Sequence, residues 1–328
     1  MRSMPRPGEP DGYLPGEQTL VPAPRRERVH RAGHPPAEPP PAIPAERPDE
    51  RVRGNHAVRV LITGGSSGIG AATARAFAER GFLVAVTGQD AEALDRVASE
   101  TGGVPIRGDL REPGCPRRVV DDAAAALGGL DIVVSNAGVG WAGPFTAMTD
   151  EDIDTLLDVN LRATAHVARA ALDHLRPDVG RLVFVGSIAG LLGVTEEAWY
   201  SATKSGVGML ADVLRTELRD ERIGVTLVIP GVVDTPYFER RKVPYQRRSP
   251  RPIPARMVAA AIVDAVEQHT EMIVVPGWLA WPARLRGGFP ALYRRLERSL
   301  DSGGGRWRGG KRAPVVGSAG PWPRNADA

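Results

Sequence analysis

Between residues 57 and 275 short apolar runs alternate with longer amphipathic stretches, the pattern of strands alternating with helices. Val58-Arg59-Val60-Leu61-Ile62 is a β-branched apolar run, as in a strand buried on both faces of a parallel sheet. The stretch that follows, Ala-Ala-Thr-Ala-Arg-Ala-Phe-Ala-Glu-Arg-Gly, has helical spacing. It points Ala72, Ala76 and Phe77 inward and stops at Gly81. Further strands are predicted at 82–86, 104–106, 132–134, 181–185, 225–229 and 272–275. Helices are predicted from about 91, through 119–127, and over 150–175, 198–219 and 257–268. This alternation predicts an α/β fold, a single doubly wound domain with a parallel sheet. Right-handed connections place its loops at the carboxyl edge, where ligands bind.

Composition divides the chain around that domain. Residues 1–56 hold thirteen of the thirty prolines with nine arginines and eight acids, and read as a disordered tail or as sequence ahead of a later start. Residues 276–301 form a basic amphipathic extension, and 302–328 read as a second disordered tail. In the extension Phe289, Leu292, Tyr293, Leu296 and Leu300 share a helical stripe beside Arg294, Arg295 and Arg298, with Trp278 and Trp281 upstream. Such a helix either packs over the cleft or a partner subunit, or makes peripheral membrane contact through 278–300. Residues 276–328 carry ten basic and three acidic side chains, yet the chain nets only +3. The arginines lie mostly in the tails without interleaved aromatic platforms, so no nucleic-acid role is expected. Cys115 is the single cysteine, which excludes a disulfide framework and fits a reducing cytoplasm. No apolar run reaches the roughly 20 residues that span a bilayer. No His, Cys, Asp or Glu cluster has metal spacing, and no metal is expected.

Two stretches carry chemistry. Thr63-Gly64-Gly65-Ser66-Ser67-Gly68-Ile69-Gly70 joins the first strand to the first helix. Glycines there let the backbone approach a pyrophosphate, and the helix N-terminus offers free N–H groups and a positive dipole end. Far downstream, Tyr200 and Lys204 stand four apart on one helical face, and Ser187 ends an apolar strand. An ammonium beside a phenol favours the phenolate, lowering a pKa that is ordinarily ~10. A serine hydroxyl can hold a substrate oxygen while the phenol gives or takes its proton. Three lysines stand against 39 arginines, and one is at position 204, where a compact, tunable charge matters.

With these motifs in order, residues 57–275 resemble a classical short-chain dehydrogenase/reductase. Asn136-Ala137-Gly138, Asn160 in Asp-Val-Asn-Leu, and Pro230-Gly231 followed by Thr235 complete the match. The resemblance implies a Rossmann-type domain with a seven-stranded parallel sheet and a hydride-transferring nicotinamide cofactor. It makes Asn160, Ser187, Tyr200 and Lys204 the catalytic set. Lys204 would also hold the nicotinamide ribose, and Asn160 a water linking Lys204 to solvent. Gly64, Ser66, Ser67, Gly68, Ile69, Gly70, Gln89, Asp109, Leu110, Asn136, Ala137, Gly138, Tyr200, Lys204, Pro230, Gly231, Val233 and Thr235 would line the cofactor. Relatives commonly form homodimers or homotetramers through the two long helices, so the same is expected here.

Cofactor choice rests on the end of the second strand, where Thr87 stands in place of the acid that would repel a 2′-phosphate. NADP is favoured and NAD possible, since Gln89 takes the place of a frequent arginine and the glycine loop holds no basic residue. Asp90 is expected to cap the next helix. Trp141, Phe145, Leu191, Leu192 and Trp199 flank the expected site and suggest an apolar alcohol or ketone substrate. The lid, 236–254, carries six basic residues against Glu239, which suits either an anionic or carrier-linked substrate or a solvated loop. The leading reading is an NAD(P)(H)-dependent oxidoreductase. The alternative is a catalytically silent dinucleotide-binding protein with an interaction or membrane-surface role.

Overall fold

The computed structural model describes residues 57–241, 243–245 and 250–303. The tail 1–56, the tail from 304 on, and Lys242, Arg247 and Arg248 of the lid lie outside the described residues. Residues 302 and 303, expected to open the second tail, finish the last helix.

Seven parallel strands form one sheet: β1 (Arg59–Thr63), β2 (Leu83–Gly88), β3 (Val104–Arg107), β4 (Ile132–Ser135), β5 (Arg181–Val185), β6 (Gly224–Pro230) and β9 (Met272–Val275), in the order β3-β2-β1-β4-β5-β6-β9. A two-stranded annex pairs β7 (Val233–Asp234) with β8 (Ile253–Pro254). The period of two along each strand builds two cores. Val60 and Ile62 of β1 join Val84, Val134 and Val228 on one face, against Phe77 of α1 (Gly68–Glu79), Leu94 of α2 (Ala91–Thr101) and Ile262 of α9 (Ala255–Glu267). Leu61 joins Val133, Phe184 and Leu227 on the other, against Val119 of α3 (Cys115–Leu127), Val167 of α5 (Ala163–Ala171) and Val207 of α7 (Ala198–Glu217). On α1 Phe77 is buried as expected, with Ala71 and Ala74, while Ala72 and Ala76 are only half-buried at the edge of that face.

The helix expected over 150–175 is interrupted. It runs as α4 (Asp150–Leu157), a wider π-type turn (Asp158–Arg162) and α5. Asn160 sits in that turn, where the Thr164 hydroxyl donates to the Asn160 carbonyl at 2.9 Å. Five short helical segments were not expected: the turn Phe145–Ala147, α6 (Ile188–Leu192), α8 (Tyr237–Arg240), α10 (Ala280–Gly288), and the turn Gly277–Leu279 before it. Leu279 is buried in the domain core, so the extension begins as part of the domain before it continues into α11 (Pro290–Gly303).

The amino edge of the sheet is held by Asp131. Its side chain is 4% exposed and accepts from Arg59 Nε at 2.8 Å, the Arg59 backbone N–H at 2.9 Å, and Arg176 Nη2 at 2.5 Å. Burial pushes this carboxyl up, but the hydrogen bonds from Arg59 and Arg176 outweigh it and hold it below its ordinary value. Its stabilising contribution is therefore present above the unfolded carboxyl's ~3.9 and is lost as pH falls through the lower folded value. At pH 7, Asp131→Ala is expected to cost about 3 kcal/mol, because it strands Arg59 half-desolvated. Denaturant titration should show that gap at pH 7 and show it shrinking as pH falls below the unfolded carboxyl's ~3.9.

Candidate active site

The strand order reverses between β1 and β4, and their carboxyl ends splay there into a crevice. Asn136 braces the two sides: its side-chain amide donates to the carbonyls of Thr63 (2.9 Å) and Gly64 (3.2 Å), and its backbone N–H to Thr63 Oγ1 (3.0 Å). The loop into α1 is packed so closely that side chains are excluded. Gly64 has φ +64°, and a Cβ there would stand 2.8 Å from the Ala137 Cα. A Cβ on Gly70 would strike the Gly64 carbonyl and come 2.6 Å from the Asn136 amide. With its first-turn N–H groups facing out and no acidic residue in the first turn, α1 presents an anion cradle.

From this cradle one cavity of about 2040 Å³ runs along the carboxyl edge to Tyr200 and Lys204. Eighteen of the twenty predicted site residues line it; Gly70 and Asn160 stand behind its wall. At the far end from Tyr200, Thr87 is buried and its hydroxyl has no hydrogen-bond partner among the described residues. Asp90 caps α2 as expected, accepting from the Ala93 N–H at 3.0 Å. Asp109 is clasped by Arg111, whose Nε and Nη2 reach its Oδ2 at 2.9 and 2.6 Å. Burial pushes the Asp109 carboxyl up, but hydrogen bonds from Arg111 and Gln89 more than compensate, and the group stays ionised and locally neutralised. The sequence reading missed Arg111, which follows Asp109-Leu110 by one residue and was hidden among 39 arginines.

The other end gathers the hydroxyls and the lysine. Ser187 caps α6, its Oγ accepting from the Ala189 N–H at 3.1 Å, which leaves its own proton for another acceptor. Tyr200 lies in the first turn of α7, one turn before Lys204. Burial pushes the Tyr200 phenol up; the Ser187 and Tyr237 hydroxyls pull it back, Glu197 raises it and Arg241 lowers it. The sequence led to a lowered phenol, and the net direction is the opposite because desolvation is the largest influence. Lys204 is 6% exposed, and its Nζ donates to the Val185 carbonyl at 3.0 Å. Burial pushes this ammonium down to about 8. Asn160 clamps the loop after β4: its amide takes the Val139 N–H at 2.8 Å and donates to the Val139 carbonyl (3.0 Å) and Thr203 Oγ1 (3.1 Å).

The lid brings a second tyrosine. Tyr237 stacks obliquely on Tyr200, with ring centroids 5.9 Å apart, and continues into Phe238 and Tyr245. Its hydroxyl is buried against Gly140, where any Cβ would collide with it, and makes no hydrogen bond of normal geometry. Burial and the neighbouring Tyr200 hold the Tyr237 phenol well above its usual value. Behind it Arg241 lies 4.7 Å from the Phe238 ring centre and pairs with Glu197 at 2.6 Å, just before α7. Of the five apolar residues expected at the site, only Leu192 lines the cavity. Trp199 is turned away, donating its indole N–H to the Ile153 carbonyl at 2.9 Å, and Phe145 is exposed. Ile188, Val194, Tyr237, Phe238, Leu279 and Leu285 supply the apolar wall instead. Arg286 donates to the Leu191 carbonyl and so ties α10 across the cleft to α6. Among the described residues no three His, Cys, Asp or Glu side chains come together as ligands. No helix there is long and apolar enough to cross a membrane.

Residues 58–245 match the sequence pattern of the family described as short chain dehydrogenase. The chain belongs to the short-chain dehydrogenase family. It is similar to a probable galactose dehydrogenase of Rhizobium meliloti, 38% identical over 195 residues, 57% of this chain and 74% of that one. It is also similar to a probable tetrahydroxynaphthalene reductase of Zymoseptoria tritici, 31% identical over 266 residues, 79% of this chain and 93% of that one. Among solved structures, a short chain dehydrogenase from Burkholderia cenocepacia in complex with NADP superposes with a TM-score of 0.61 at 32% identity. That match covers 66% of this chain and 95% of the other. The protein is thus an oxidoreductase of the short-chain dehydrogenase family with a Rossmann-type sheet.

Proposed function

We propose that the protein interconverts an alcohol and a carbonyl on an apolar small molecule, with NADP(H) as hydride carrier and Tyr200 as general acid and base. One observation carries this reading: the cavity that starts at the α1 anion cradle ends at Ser187, Tyr200 and Lys204. The lining suits a dinucleotide: Ser66–Gly68 would hold its phosphates, Thr87, Gln89, Asp109 and Leu110 its adenosine, and Lys204 its nicotinamide ribose. When bound, the nicotinamide supplies the hydride. Ser187 donates to the substrate oxygen and polarises the carbonyl. Tyr200, a phenol that burial keeps the more firmly protonated at neutral pH, delivers the proton in reduction and takes it back in oxidation. Lys204 holds the ribose hydroxyls and offers a charge whose pKa of about 8 keeps it mobile near neutrality. Asn160 sets the loop after β4 and, through Thr203, the helix of Tyr200.

NADP is favoured over NAD. Thr87, and not an acid, stands next to the last residue of the second strand; of the carboxylates lining that end, Asp90 caps α2 and Asp109 is neutralised by Arg111. The structural neighbour from Burkholderia cenocepacia is bound to NADP. NAD fits the same cradle with its free ribose hydroxyls. A homo-oligomer through the long helices accords with the exposed Leu157, Met209 and Val213 on α4 and α7. A silent binding protein is favoured only by the exposed Trp278, Trp281 and Phe289 of the extension.

Fluorescence titration of the purified chain with NADPH and then NADH tests the reading. Saturable binding of both, tighter for NADPH, is expected. Binding of neither overturns it.

A further inference from the structure

Arg240 ends the lid helix α8, and its Nη2 donates to Ser67 Oγ at 2.7 Å. Ser67 is the N-cap of α1; its backbone is extended (φ −161°, ψ 174°) and its side chain makes no capping bond. A guanidinium is therefore parked at the positive end of a helix dipole, a place that disfavours a cation. No acidic residue occupies the first turn of α1. Among the described residues no carboxylate pairs with Arg240, although its neighbour Arg241 is paired with Glu197. An anion held between the helix end and the guanidinium satisfies both. The glycine loop itself contains no basic residue, so the lid brings the cation that the loop lacks.

We infer that Arg240 is a cofactor-binding residue carried by the lid, its guanidinium taking a phosphate of the dinucleotide at the N-terminus of α1. This rests on the nicotinamide-dinucleotide reading above. Two phosphates offer the chemistry: the pyrophosphate, common to NADPH and NADH, and the 2′-phosphate, found only in NADPH. Either way the cofactor holds the lid, because Tyr237 and Arg241 share the short segment with Arg240. Cofactor binding then fixes Tyr237 against Tyr200 and Arg241 against Glu197. A guanidinium–phosphate contact of this kind changes affinity by about 10- to 100-fold.

The test is the dissociation constants of NADPH and NADH for the full wild-type chain, Arg240→Gln and Arg240→Lys, read by fluorescence at two salt concentrations. Arg240 is exposed, so the variants should melt with the wild type. An equal loss of about tenfold or more for both cofactors in Arg240→Gln, partly restored by Arg240→Lys and diminished by salt, supports the inference with the pyrophosphate as ligand. A loss confined to NADPH supports it with the 2′-phosphate as ligand. Constants within twofold of wild type for both cofactors overturn it. A wild-type chain that binds neither overturns the oxidoreductase reading itself.

Discussion

Tyr200→Phe is expected to lower turnover by about 100- to 10,000-fold while leaving NADPH affinity within a few-fold. The substitution removes one hydroxyl and keeps the ring that packs against Tyr237 at 5.9 Å, so the cavity retains its shape. A phenol is protonated at pH 7 at its ordinary pKa of ~10, and burial raises it further, keeping the form an acid needs to reduce a carbonyl. The wild-type rate of reduction should therefore hold through neutrality and fall as the phenol ionises at alkaline pH. Oxidation, which needs the phenolate or a proton acceptor in its place, should rise over the same range. Steady-state profiles in both directions check the signs; a variant with wild-type turnover would remove Tyr200 from the mechanism.

Lys204→Met is expected to abolish turnover and to stabilise the empty protein. The ammonium is buried and pushed down to about 8, against ~10.4 when free. Here the folded pKa lies below the unfolded one, so the unfolded chain binds the proton more tightly. Stability is missing below pH 8 and is recovered as pH rises from 8 to about 10.4. The difference between the free and the buried ammonium corresponds to about 3 kcal/mol of strain at pH 7. Methionine relieves that strain but leaves the Val185 carbonyl without its donor, a cost of about 1 kcal/mol. Denaturant titration at pH 7 should find the variant about 2 kcal/mol more stable, and the advantage should vanish near pH 10. A variant less stable at pH 7 would show that the buried lysine is not strained in the protein without cofactor. Such a trade of stability for a charged group in the site is what a functional lysine costs a fold.

Most of the frame was legible because it follows from local patterns. Val60, Leu61 and Ile62 read as a strand buried on both sides, and they divide between two cores as the period of two requires. Asp90 read as a helix cap because its carboxylate faces the free N–H groups of one turn. What escaped depends on contacts distant in sequence or on environment. Arg240 and Ser67 lie 173 residues apart, and nothing in the lid's composition tells the arginine at the cradle from the one paired with Glu197. Trp199 read as a pocket wall because it precedes Tyr200, but the neighbouring position on a helix points elsewhere, and its indole finds Ile153. The direction of the Tyr200 shift needed the burial of the site, which a four-residue spacing does not carry. The π-type turn at Asn160 was hidden because a helical stretch continues on both sides of it, Asp150–Leu157 before and Ala163–Ala171 after.

The central claim is hydride transfer to a carbonyl within this cleft. The most direct test incubates the protein with NADPH deuterated at the transferring C4 position and a panel of apolar ketones, then weighs the alcohols formed. An alcohol one mass unit heavier, carrying the label on the carbinol carbon, is expected, and none with Tyr200→Phe. Saturable NADPH binding without labelled alcohol from any ketone, or label transfer undiminished in Tyr200→Phe, would contradict it.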